Sequence, residues 1–257
     1  MTAPPTGAPD PRGAMQEQYA QDLAEVARAL PGADYRRVLG WIHAFGQPRN
    51  YLEIGVNFGK SFALVQPGTH AVGVDPEPKV AERITGRVLR ETSDAFFARP
   101  DLRAVVEAPV QFAFIDGLHT FDQVLRDFLN VEQISSADSI VALHDIYPIR
   151  PEVAARERRR IFWTGDVWKA AAILSRERPD LSFAYVPAPP SGLLLVTALK
   201  PAVEPLRQRL DGVVDAWMHR GLPTDPGELV SRFECVGNDE ASVRRFVNRA
   251  WGARATA

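Results

Sequence analysis

The sequence of 257 residues has a single cysteine, no excess of either charge, and no apolar run near the roughly 20 residues that a membrane span needs. One cysteine, Cys235, excludes an internal disulfide and any cysteine zinc cluster, a pattern that suits a reducing cytoplasm. The formal net charge of −2 and a pI near 6.2 leave no broad electrostatic footprint for nucleic acid or an anionic membrane. The opening MTAPPTGAPDPRGA lacks both the basic and the apolar part of a signal peptide, and its four prolines read as a flexible tail over residues 1–14. The expectation is a cytoplasmic protein with no nucleic-acid or membrane partner; a homo-oligomer is compatible with everything in the composition. At 46% hydrophobic and 24% charged, the chain can bury a substantial core.

The pattern alternates. Met15 to Leu30 and Tyr35 to Phe45 carry helical spacing, with Pro31-Gly32 between them, and read as cap helices over residues 15–47. Seven short apolar runs follow: Tyr51 to Val56, Ala71 to Asp75, Arg87 to Thr92, Phe112 to Asp116, Ile140 to Asp145, Phe183 to Val186 and Leu193 to Leu199. The stretch from Val56 to His70 is long enough for a parallel crossover, whereas Pro187 to Gly192 is turn chemistry and makes the last pair an antiparallel edge hairpin. Thr120 to Ile134 is the clearest helix, with Thr120 and Gln123 as a capping box and Phe121, Val124, Leu125, Phe128 and Leu129 on one face. The spacing predicts an α/β, Rossmann-like, open and mostly parallel seven-stranded sheet over residues 48–200, with helices on both faces and a helical extension over 201–257.

The densest chemistry lies in YLEIGVNFGKS, Tyr51 to Ser61, and in GVDPEP, where Asp75 stands twenty positions beyond Gly55. A phosphate loop would need a glycine at Ile54, and a dinucleotide fingerprint would need the close glycine pair that Gly55-Val56-Asn57-Phe58-Gly59 lacks. What remains is a turn with room for a ligand without phosphate, a carboxylate, Glu53, able to meet an ammonium group, and Asp75 able to accept from two ribose hydroxyls. A structural turn with a surface Asp at a strand end is the plainer alternative.

LEIGVNFGKS, GVDPEP, TSDAFF, FAFIDGLHTFDQVLRDF, VALHD and TGDVWK together resemble class I S-adenosylmethionine-dependent methyltransferases, and among them bacterial O-methyltransferases of sugars and other small metabolites. The resemblance spans about residues 48–199. It implies that Glu53, Gly55, Val56, Asn57, Phe58, Gly59 and Ser61 surround the methionine part, that Asp75 with Pro76 holds the ribose, that Ser93 and Asp94 meet the adenine, and that Asp116 and Gly117 complete the cofactor edge. The activity implied is O-methylation of a small-molecule acceptor, as in natural-product biosynthesis. A non-catalytic S-adenosylmethionine-binding subunit and a nucleotide-dependent oxidoreductase are the competing classes.

Asp116 and Asp145 each end a run, so a parallel sheet delivers both carboxylates to one edge, with His119 and His144 beside them. Two aspartates with a histidine or water can hold Mg²⁺ or another divalent cation. His119 could remove the acceptor's proton, with Asp116 beside it at the catalytic edge. Metal-dependent O-methyltransferases are similar here, except that Ile146 stands where they place an Asn; His144 is the substitute ligand. A core-facing His144 and a merely polar His119 are the plainer readings. Between Pro148 and Thr164 a run rich in arginine reads as a substrate lid, its arginines forming a solvated helix face or, as the alternative, a phosphate-binding patch; Trp163 stands at the acceptor pocket, and a helix capped by Thr164 follows, with Asp166 in its first turn.

Overall fold

The computed structural model describes residues 11–202 and 205–252. Residues 1–10 of the expected tail lie outside the described residues, and its last four belong to a helix, α1 (Pro11–Ala29), which opens on a proline, the residue best suited to a first helical turn. Next come α2 (Tyr35–Gly46), capped by the Asp34 carboxylate on Arg37 N–H, and the strands β1 (Asn50–Ile54), β2 (His70–Val74) and β3 (Arg87–Leu89). Two short helices, α3 (Ser93–Phe97) and α4 (Leu102–Val105), lead to β4 (Val110–Ile115), α5 (Phe121–Gln133) and β5 (Ser135–His144). Then follow α6 (Trp168–Glu177), β6 (Ser182–Val186), β7 (Leu193–Thr197), α7 (Pro205–Gln208), α8 (Leu210–Met218), α9 (Gly227–Val230), β8 (Glu234–Cys235) and α10 (Glu240–Trp251). No helix among the described residues is long and apolar enough to cross a membrane.

The sheet has eight strands in the order β3-β2-β1-β4-β5-β7-β6-β8, one more than the seven expected. The first five run parallel, β7 is antiparallel to both β5 and β6, and the added β8 pairs parallel with β6 through Ala184 and Tyr185. The crossover from β1 to β2 contains a single 3₁₀ turn, Phe62–Leu64. The pleat sends alternate side chains of each central strand to opposite faces. Leu52, Ile54, Ala113, Ile115, Val141 and Leu143 pack toward α5 and α6, whereas Tyr51, Phe112, Phe114, Ile140 and Ala142 pack toward α2 and α10. Burial on both faces explains the continuous apolar strands.

Two expected helix starts differ. Thr120 precedes α5, but its side chain does not cap the helix; Asp166 Oδ1, 45 residues on, accepts from Phe121 N–H at 3.0 Å. For the same reason Asp166 is not in the first turn of α6, which begins at Trp168 after an uncapped Val167. The arginine-rich stretch from Pro148 to Thr164 forms turns and bends instead of a helix. It is held by α1: Val153 and Phe162 pack with Val26, Arg150 pairs with Asp22 and Glu25, and Arg160 reaches Asp22 at 3.5 Å.

Candidate functional site

The carboxyl ends of β1, β2, β4 and β5 open into one cleft of about 940 Å³, in the upper part of the range for small-molecule sites. Gly55, with φ of 90°, carries the turn after β1 across the end of β4; a Cβ there would lie 2.1 Å from the Asp116 carbonyl oxygen. Only glycine permits that approach. Gly55, Val56, Asn57, Phe58 and Ser61 line the cleft, as do Asp75, Pro76, Ser93, Asp94, Asp116, Gly117, His119, His144 and Asp145.

Glu53 and Gly59 are not on that lining. Glu53 is odd-numbered in β1, so the pleat turns it to the α2 face with Tyr51, fully buried, where Tyr51 Oη and Ser61 Oγ each donate to it at 2.6 Å. Burial raises its pKa to about 8 against the pull of both hydroxyls. Glu53 thus anchors the turn through Ser61, itself a residue of the cleft lining. Asp75 is held by the turn it was expected to serve, accepting from Asn57 N–H on Oδ2 and from Glu77 N–H on Oδ1, both at 2.8 Å. Each oxygen keeps a lone pair for a further donor.

Beyond Asp75, Thr92 caps α3, and the amide of Gln123 on α5 reaches Ser93 Oγ at 3.1 Å and Asp94 Oδ1 at 3.0 Å. Gln123 was expected to cap its own helix; it instead fixes the wall formed by Ser93 and Asp94. The same amide lies 3.0 Å from Asp127, whose pKa burial raises to about 6.

At the other end, His144 shares the α2 face with Ile140 and Ala142, its ring 4.2 Å from that of Tyr35, yet its Nδ1 still meets Asp116 at 3.1 Å and Asp145 at 3.3 Å. Asp145 stands in the left-handed region with φ of 60°, which swings its carboxylate back between the two histidines. His119 Nδ1 lies 2.9 Å from Asp145 Oδ2 and its Nε2 3.6 Å from Asp116. Burial opposes the charged form of both imidazoles, but Asp145 and Asp116 outweigh it and raise His119 to about 8 and His144 to about 10; the two histidines hold Asp145 far below the usual carboxylate range. Ser191, fully buried, donates to Asp145.

The His119 ring is stacked on Trp163, with planes within 6° and centroids 5.0 Å apart. Trp163 is fixed by its Nε1–H donating to Ala155 O and by Gly165, where a Cβ would collide with the His119 carbonyl at 1.8 Å. Tyr19, Tyr35, Lys60, Arg158 and Phe162 also line the cleft, and sequence reasoning singled out none of them as site residues. Only the arginine cluster and the aromatic character of IFW offered any signal.

Asp116, His144 and Asp145 bring ligand atoms within 4.8 Å of one another. Separations of 3.1 and 3.3 Å from Nδ1 to the carboxylates are those of adjacent ligands around an ion with bonds of roughly 2.0–2.3 Å, so the residues fit a divalent cation. One nitrogen among the oxygens suits Mn²⁺, Fe²⁺ or Zn²⁺ better than Mg²⁺.

Residues 52–146 match a family model described as a methyltransferase domain. No curated protein sequence matches the chain. Among solved structures, the O-methyltransferase of Bacillus cereus in complex with SAH (S-adenosylhomocysteine) is similar at 16% identity and a TM-score of 0.47, over 74% of this chain and 92% of that one. The O-methyltransferase TomG of Streptomyces achromogenes, involved in tomaymycin synthesis and solved with SAM, is similar at 17% identity and a TM-score of 0.47, over 73% and 96%. A methyltransferase of Podospora anserina with SAH bound gives 16% identity and a TM-score of 0.46, over 76% and 100%. With TM-scores under 0.5, these are likenesses of outline and nothing more. The span that matches the methyltransferase-domain model begins on β1 and ends just past β5, the strands whose ends frame the cleft.

Proposed function

We propose that the chain transfers the methyl group of S-adenosylmethionine to a hydroxyl of a small acceptor, a sugar or another small metabolite, with a divalent cation at Asp116, His144 and Asp145. The observation that carries this reading is the juxtaposition, in one cleft, of the Gly55 turn and Asp75 at one end and of His119 between two strand-end aspartates at the other.

Asp75 would accept from the ribose hydroxyls with the lone pairs its backbone donors leave. Ser93 and Asp94, braced by Gln123, would border the adenine, and Gly117 and the turn would border the methionine part. Asp145 Oδ2 lies 2.9 Å from Nδ1 of His119, and Nε2, on the Asp116 side, would be the atom to receive the acceptor's proton. Stacking on Trp163 keeps the imidazole from rotating away. A bound cation would lower the pKa of an acceptor hydroxyl and orient its oxygen. Most of the acceleration would come from alignment, because the sulfonium is already an activated donor.

Calorimetry with SAH and transfer of labelled methyl groups to a panel of hydroxylated sugars and phenols, with Mn²⁺, Mg²⁺ or EDTA, test the reading. SAH binding that is lost in Asp75→Ala, and transfer suppressed by EDTA and by His119→Ala, are expected. SAH bound equally well by Asp75→Ala would overturn the cofactor placement, and transfer indifferent to EDTA would overturn the metal.

A further inference from the structure

We infer that the acceptor carries an anionic group, a carboxylate or a phosphate, and that Arg158 holds it. The inference rests on the methyl-transfer reading and names the substrate class of that same cleft. The arginines of the stretch over the cleft differ in their partners. Arg156 pairs with Asp122 at 2.8 Å, Arg159 with Glu157 at 2.7 Å, Arg160 with Asp22, and Arg150 with Asp22 and Glu25. Arg158 alone in this stretch has no carboxylate partner among the described residues, and it alone of these arginines lines the cleft.

Its guanidinium is nevertheless oriented. Nε donates to Arg160 O at 3.3 Å and Nη2 to Ile161 O at 3.2 Å, and Cζ lies 5.9 Å from the centre of the Trp163 ring. Two backbone carbonyls direct the group without neutralising it, and Nη1 has no hydrogen-bond partner among the described residues. Preorientation of this kind reduces the entropy lost when an anion is bound.

Trp163 sets the geometry of recognition. His119 stacks on its ring at 5.0 Å and Arg158 lies over it at 5.9 Å, so the two are no farther apart than the sum of these distances. An acceptor no longer than that limit can present a hydroxyl to His119 and an anion to Arg158. The acidic groups of the cleft lie elsewhere: Asp75, Glu77 and Asp94 at the cofactor end, and Asp116 and Asp145 against the two histidines. An anion beside Arg158 therefore meets a cation and an aromatic face, not a carboxylate.

The test is titration of the SAH-loaded protein with 4-hydroxybenzoate, 4-hydroxybenzamide and phenyl phosphate by calorimetry. At least one of the two anions should bind about three- to tenfold more tightly than the neutral amide, the scale of a charge-assisted contact at a half-open site. The preference should vanish in Arg158→Gln, an exposed substitution that leaves the core intact, and a carboxylate-over-phosphate order, or the reverse, identifies the anion. Equal affinity for acid and amide, a preference that survives Arg158→Gln, or no binding of any of the three overturns the inference while leaving methyl transfer standing. Failure of SAH itself to bind removes both.

Discussion

Replacing Gly55 by alanine sets a single methyl group against the junction of β1 and β4. The new Cβ would lie 2.1 Å from Asp116 O, 2.5 Å from Asp116 C and 2.6 Å from Gly117 Cα, all backbone atoms that no rotamer change can clear. Relief to the 3.0 Å limit of real contacts requires the two strand ends to part by about 0.9 Å. That movement strains the Asp116 N–H to Ile54 O hydrogen bond of 2.8 Å, a loss of about 1 kcal/mol, and a φ of 90° costs an L-residue about 1–2 kcal/mol more. Gly55→Ala should thus destabilise by roughly 2–3 kcal/mol in urea melts and, because Asp116 moves with its backbone, weaken SAH by more than tenfold. Gly59→Ala is the internal control. Its φ is also positive, at 80°, but its nearest neighbour is the Val80 side chain at 3.1 Å, which can turn aside, so only the backbone strain remains. Equal losses of stability and of SAH affinity in the two variants would refute the reasoning.

Arg178, nearly inaccessible, is held by both oxygens of Glu132 at 2.7 and 2.8 Å and by Asp180 at 2.9 Å, so Glu132→Ala, which leaves Asp180 as its partner, should destabilise by about 1.5–3 kcal/mol in chemical denaturation, more than loss of the exposed Glu240–Arg244 pair. His43 is fully buried against Tyr51 and Phe112 with neither ring nitrogen hydrogen-bonded, and burial lowers its pKa to about 3. A depressed folded pKa means that its contribution is intact above the unfolded value of 6.5 and is lost as pH falls toward 3, on the order of 1 kcal/mol per pH unit. His43→Leu should flatten that acid slope in melts between pH 7 and pH 4, and an unchanged slope would exonerate His43. Trp163→Ala removes the face on which His119 rests; methyl transfer should fall at least tenfold with SAH affinity unchanged, and a change in SAH affinity instead would place Trp163 at the cofactor end.

Features written in adjacent residues were legible from the sequence. The strand, glycine turn and strand-end acid of Tyr51 to Asp75, the apolar stripe of α5 and the hairpin turn at Pro187 to Gly192 each depend on local spacing, and each stands in the fold. The rest depends on partners distant in the chain. β8 contributes two residues and no periodicity of its own; it exists because Ala184 and Tyr185 present an open edge. Asp166 resembled a cap for its own helix but serves α5, and Gln123 left its capping box for Ser93 and Asp94. In the site, the aspartate pair was legible because both residues end strands, whereas Tyr35, Tyr19 and Ser191 come from α2, α1 and the turn before β7, with no motif to announce them. Glu53 shows the limit of motif reading: the residue type was informative, but the pleat decides which side of the sheet receives it.

The stretch from Pro148 to Thr164 is secured through α1, and this divides the cleft by the origin of its parts. One bank is built from strand ends inside residues 52–146, where a glycine, a positive φ or a backbone contact constrains nearly every position. The opposite bank combines Tyr19, Arg158, Phe162 and Trp163 from segments joined to each other by side chains. Substitutions on that second bank leave the sheet's register untouched. Exchanging α1 and its tethered stretch as one cassette should therefore reshape that bank of the cleft and leave the strand-end bank in place.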